Sequence, residues 1–166
     1  SLFKQKMIKI KLSANESALG PSPKAIKEYN KVSKNFKRYP DTNGTTFKKV
    51  IANKFKIDKD RIVLGSGSDQ IFELACNAFI KKNDEVIVPS FSFISTANSI
   101  LFTNSIPVFV DIEKENFGLD PSCIENKINE KTKCVMPVDY GGRSCKINEI
   151  KEIVRLIFQS SKNVTE

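Results

Sequence analysis

No histidine occurs in the 166-residue chain. Without imidazole there is no histidine general base, no Ser-His or Cys-His nucleophile pair, and no histidine ligand for zinc. The four cysteines, Cys76, Cys123, Cys134 and Cys145, show no C-x-x-C spacing, so they read as free buried thiols rather than a metal site or a disulfide framework. No apolar run approaches the ~20 residues of a membrane-spanning helix, and Ser1-Leu2-Phe3-Lys4-Gln5-Lys6 lacks the apolar core of a signal peptide. A cytoplasmic protein with no membrane contact is expected, in which the N-x-S/T triplets at Asn15, Asn43 and Asn163 carry no meaning.

Acidic residues are also in short supply, and the formal net charge is +8. Lysine outnumbers arginine 23 to 4, and Lys24, Lys27, Lys31, Lys34 and Lys37 recur at positions that face solvent on a helix. No aromatic-basic interleaving accompanies them, so the excess reads as solvated helix faces and not as a nucleic-acid surface. A hydrophobic share of 40% is that of an ordinary globular chain, of a size for one domain or a piece of a larger one.

What is present centres on one loop. Ile62-Val63-Leu64 runs into Gly65-Ser66-Gly67-Ser68-Asp69, and a helix follows to about residue 80 with Ile71, Leu74, Ala75, Ala78 and Phe79 at helical spacing. A strand ending in a glycine turn at a helix N-terminus makes a phosphate cradle, because the first-turn N–H groups lack intrahelical partners and glycine lets an anion approach. The spacing alone leaves a plain βα turn open as well. Gln70 stands where a third glycine would complete G-x-G-x-x-G, and no Gly-Lys-Ser/Thr follows as a P-loop requires.

Along the chain, a short strand at 9–12 precedes a helix introduced by Pro21-Ser22-Pro23. Thr42 or Asn43 caps a second helix to about residue 55. Strands are then expected at 61–64, 85–88, 106–110 and 133–137, with helices at about 69–80, 93–103, 120–129 and 146–158. Short apolar strands alternating with helices predict a three-layer α/β/α fold with a largely parallel sheet covered on both faces.

Together, Leu12-Ser13-Ala14-Asn15-Glu16, Gly20-Pro21-Ser22-Pro23, Arg38-Tyr39-Pro40-Asp41 and Gly65-Ser66-Gly67-Ser68-Asp69 resemble the N-terminal half of histidinol-phosphate aminotransferases. The stretches 84–93, 107–112, 131–133 and 137–142 resemble the DegT/DnrJ/EryC1 nucleotide-sugar aminotransferases instead. Both groups share the aspartate aminotransferase fold (fold type I) and pyridoxal 5'-phosphate (PLP). The resemblance covers about residues 11–156 and implies the N-terminal half of a PLP-dependent large domain. On that basis residues 1–40 form an N-terminal arm and helix, 41–158 a partial cofactor domain, and 159–166 a non-matching tail.

The resemblance also implies roles. Gly67, Ser68 and Asp69 match the segment that holds the cofactor phosphate, with the Asp69 side chain expected to turn away and cap the helix. Phe93 matches the aromatic that stacks on the pyridine ring, although a core phenylalanine is the alternative for one of twelve. Tyr39 matches the tyrosine that reaches the phosphate of the neighbouring subunit, which implies a homodimer. Asn15 and Glu16 match the segment over the substrate entrance. The small-molecule substrates implied are an amino acid and a phosphorylated or nucleotide-sugar ketone.

In the family a later aspartate pairs with the pyridine nitrogen and a later lysine forms the Schiff base. No aspartate follows Asp139, and Ser161-Lys162 has no strand before it, so a truncated chain with no catalytic residue of its own is expected. An aminotransferase by lineage, a non-catalytic phosphate- or PLP-binding fragment or partner module, and an unrelated α/β nucleotide-binding domain remain as readings.

Overall fold

The computed structural model describes Ser17 and residues 19–160, so the strand expected at 9–12 and the pair Asn15 and Glu16 lie outside the described residues. The chain divides into two units between Lys59 and Asp60.

The first unit holds two helices. Helix α1, Pro23–Val32, starts where Ser22 Oγ accepts from the Ala25 N–H at 3.2 Å, and Pro23 sits where a missing N–H costs nothing. Its apolar residues Ile26, Tyr29 and Val32 are all exposed, and Tyr29 meets Phe36 edge-on at 5.8 Å. Helix α2, Thr45–Phe55, is not capped by Thr42 or Asn43. The Asp41 carboxylate accepts from the N–H groups of Asn43 at 3.1 Å and Thr45 at 2.7 Å, and Gly44 takes the cap position with φ +57°. An ionised carboxylate is the stronger acceptor for orphan N–H groups, and those bonds hold the Asp41 carboxyl below its usual range.

The second unit carries the sheet. Helix α3, Ser68–Phe79, leads to strand β1, Glu85–Pro89; helix α4, Ser95–Leu101, leads to strand β2, Ile106–Val110; strand β3, Thr132–Val135, leads to helix α5, Ile147–Ser160. The three strands run parallel in the order β2-β1-β3. Register runs from Glu85 opposite Ile106 to Pro89 opposite Val110. On the other side Val86 faces Cys134 and Ile87 faces Val135, after an irregularity at Glu85.

Alternation along the strands builds the two outer layers. Val86 and Val88 pack with Cys76 of α3 and Ile100 of α4, while Ile87 points the other way onto Leu119, Ile124 and Ile150 of α5. Side chains of successive strand residues leave opposite faces, so a strand buried on both faces must be apolar throughout. The three-layer α/β/α arrangement expected from the sequence is therefore present.

Two expected elements are absent. Residues 61–64 do not form a strand: Lys59–Arg61 is a 3-10 turn, and Ile62 to Leu64 joins no ladder among the described residues. An extended segment becomes a strand only beside a partner, so the described sheet has three strands rather than four. The helix expected at 120–129 is two 3-10 turns, Pro121–Cys123 and Glu125–Lys127, joined at buried Ile124. Asp120 caps the first turn, its carboxylate accepting from the Ser122 N–H, and the backbone turns extended at Ile128, beyond which Asn129 accepts from the Lys131 N–H.

All four cysteines are free, but only Cys76 and Cys145 are buried, Cys123 and Cys134 being half-buried. Burial pushes the Cys76, Cys134 and Cys145 thiols up, so they stay protonated and unreactive. The loop after β3 is pinned by Asp139, whose carboxylate accepts from the Cys145 N–H at 2.9 Å.

Truncating fully buried Ile87 to alanine should cost about 2–5 kcal/mol, read as a lower urea midpoint at unchanged slope. The bonds from Cys145 hold the Asp139 carboxyl below its ordinary value, so its stabilisation is present above about pH 3.9 and fades as pH falls through the lowered folded value. Asp139→Ala should therefore lower the urea midpoint at pH 7, with the gap to the parent closing in acid.

Candidate active site

The loop 65–69 meets α3 with little room to vary. A Cβ on Gly65 would lie 2.8 Å from Ile71 Cδ1 and 3.3 Å from Gln70 Oε1, so the loop folds tightly onto the first helical turn. Gly67 takes φ +95° and ψ 174°, a region essentially reserved for glycine, and its carbonyl accepts from the Ile71 N–H at 3.4 Å. The next three N–H groups, of Ser68, Asp69 and Gln70, open the helix with no described acceptor, at the positive end of its dipole.

Asp69 does not cap the helix; no side chain bonds the first turn from the cap position. Gln70 closes the loop instead, its Oε1 accepting from the Ser66 N–H at 2.5 Å. A neutral amide reaching back along the chain satisfies Ser66 and leaves the first-turn amides to an anion. In the sequence Gln70 registers only as the residue that breaks a glycine fingerprint, because a backward side-chain bond leaves no periodic signal.

The cradle opens onto a cleft of about 450 Å³. Asp69, Gln70 and Glu73 of α3 form one wall, and Phe93, Asn98 and Phe102 another. Phe93 also borders a second cavity, of about 250 Å³, with Ser92, Thr96 and Phe109. Its ring is 72% exposed, so it is no core phenylalanine. Ser92 and Thr96 share a hydrogen bond of 2.8 Å across this turn, a contact between two ordinary alcohols that spacing alone does not announce.

The fold thus brings Asp69 and Phe93 to one cleft, while Gly67 and Ser68 stand just before Asp69 at the start of α3 and are not among its lining residues. Tyr39 lies in the first unit, where its ring is fully exposed. No lysine or arginine lines the cleft, and the described residues contain no cluster that could hold a metal. An anion at this helix start would meet only backbone N–H groups and the helix dipole, with the carboxylates of Asp69 and Glu73 close by. A heavy atom comes within 4 Å of no Cβ placed on Gly67, so the cradle has the open space and unpartnered donors that one phosphate monoester needs.

A parallel sheet between two helical layers, with an aromatic ring across a cleft from a glycine-opened helix, is built like the cofactor domain of PLP-dependent aminotransferases. The crystal structure of NtdA from Bacillus subtilis, with bound cofactor PMP, superposes with a TM-score of 0.65 and 26% identity over 80% of this chain and 30% of that one. The chain belongs to the DegT/DnrJ/EryC1/StrS aminotransferase family, which it matches over residues 23–156. The family's cofactor is PLP.

Relatives are also found among histidinol-phosphate aminotransferases. That of Pelagibacter ubique is 35% identical over 93% of this chain and 42% of its own length. That of Mannheimia succiniciproducens is 36% identical over 76% of this chain and 34% of its own. The chain therefore spans less than half the length of these relatives.

Gly67→Ala forces a side chain into the strained backbone region, at about 1–3 kcal/mol. Thermal unfolding should show it as a lower midpoint with the far-UV circular dichroism of the native state retained.

Proposed function

We propose that residues 60–156 form the phosphate-and-ring half of a PLP site in an aminotransferase that delivers an amino group to an imidazole-phosphate or nucleotide-sugar ketone. The observation that carries this reading is the single cleft walled by the α3 N-terminus and Phe93. The amides of Ser68 and Asp69, exposed by Gly67, would hold the phosphate, and Phe93 would supply a flat apolar face to the pyridine ring. When bound, PLP supplies an electron sink for bonds at the amino-acid α-carbon.

Tyr39 fits the reading as a residue offered to a second copy in a cytoplasmic homodimer, its ring fully exposed among the described residues. No described helix is long and apolar enough to cross a membrane. Beside the cradle itself, the carboxylates of Asp69 and Glu73 weigh against a nucleotide polyphosphate standing there in place of a cofactor monoester.

A second reading is favoured by one observation, that no lysine lines the cleft. On it, these residues bind the cofactor without bonding to its aldehyde and act as a non-catalytic binding piece or partner module.

Binding of pyridoxamine 5'-phosphate, which has no aldehyde to react with the 23 lysines, tests the shared core of both readings by calorimetry. The phosphorylated ligand should bind, and pyridoxamine without phosphate should bind at least about tenfold more weakly, as loss of a charge-assisted site predicts. Equal affinity for the two would sink the cradle. Borohydride after PLP then separates the readings: one specifically labelled lysine supports catalysis by this chain, and labelling spread over surface lysines supports the binding piece.

A further inference from the structure

Phe93 is exposed on a turn, yet a ring that stacks on a cofactor must be held at one height and tilt. Side-chain packing does not hold it, since the ring is 72% exposed and borders a cavity on each side. The backbone on either side of it is held instead. The Phe93 carbonyl accepts from the Thr96 N–H at 3.1 Å, and Ser92 Oγ and Thr96 Oγ1 share their 2.8 Å bond behind the ring.

Thr96 is itself anchored. It is 5% exposed, its carbonyl accepts from Ser99 Oγ at 3.0 Å, and it belongs to α4, which packs on β1 through Ile100. Thr96 lines the cavity that Phe93 shares with Ser92 and Phe109, and not the cleft that the ring shares with Asp69. A valine of the same shape would fill that buried position without polar cost, so the hydroxyl is explained by what it holds.

We propose that Thr96, through Ser92, is the positioning residue that sets the Phe93 ring over the cofactor site. The inference rests on the reading of Phe93 as the ring stacker in the preceding section. Thr96 touches no ligand; it acts by fixing the turn 92–96, so its loss should weaken recognition of the ring and leave recognition of the phosphate alone.

The test compares two probes, pyridoxamine 5'-phosphate and inorganic phosphate, on the full 166-residue chain and three variants by calorimetry. Thr96→Val should weaken pyridoxamine phosphate about three- to tenfold, the range expected for a lost aromatic stack, with inorganic phosphate affinity unchanged. Thr96→Ser, which keeps the hydroxyl, should stay within about twofold of the parent. Ser92→Ala should follow Thr96→Val, and it keeps the test alive if the valine variant does not fold. Unchanged pyridoxamine phosphate affinity in the folded variants would overturn the proposal, as would parallel loss of both probes, which marks a purely structural bond. A parent chain that binds the two probes equally would overturn ring stacking itself, and with it the reading of Phe93.

Discussion

Strand β1 is the central strand, hydrogen-bonded along both edges and buried on both faces, so the two helical layers of the second unit pack against opposite sides of it. Val86 and Val88 hold α3 and α4 on one side, and Ile87 holds α5 and the 3-10 turns on the other. The cradle is the start of α3, and Phe93 lies on the turn that leaves β1. Both walls of the cleft are therefore referenced to the same strand, and a shift in its register would move them together.

The site built on that strand is made largely of backbone. Gly67 supplies a conformation, Ser68 and Asp69 would supply N–H groups, and Gln70 takes up the Ser66 N–H. Amides fixed at a helix start cost no reorganisation when an anion arrives, whereas lysine or arginine side chains would have to be ordered first. The chain's overall charge of +8 is not concentrated here: the cleft wall carries carboxylates, and no described lysine lines it.

The edges of the sheet mark where the described residues stop being self-sufficient. Among the described residues, strands β2 and β3 each pair on one side only, Ile62 to Leu64 joins no ladder, and the apolar stripe of α1 is exposed. Such features are ordinary in a piece of a larger assembly and costly in a finished surface. They agree with relatives in which this chain corresponds to less than half the length.

The sequence by itself determined the class of fold and the glycine turn that opens α3. Alternation of short apolar strands with helices admits few arrangements, and a glycine turn at a helix start is local enough to be read from neighbours in the chain. It misplaced what depends on partners: 61–64 looks like a strand, but no neighbour among the described residues pairs with it, and 120–129 looks helical but closes only two 3-10 turns before the backbone turns extended at Ile128. Only the tertiary structure decided that Phe93 leaves the core to face the cradle, that Gln70 rather than Asp69 closes the loop, and that Thr96 ties the turn behind the ring. Those outcomes turn on direction in space, and a side chain's direction is set by the elements packed around it, which no spacing along the chain records.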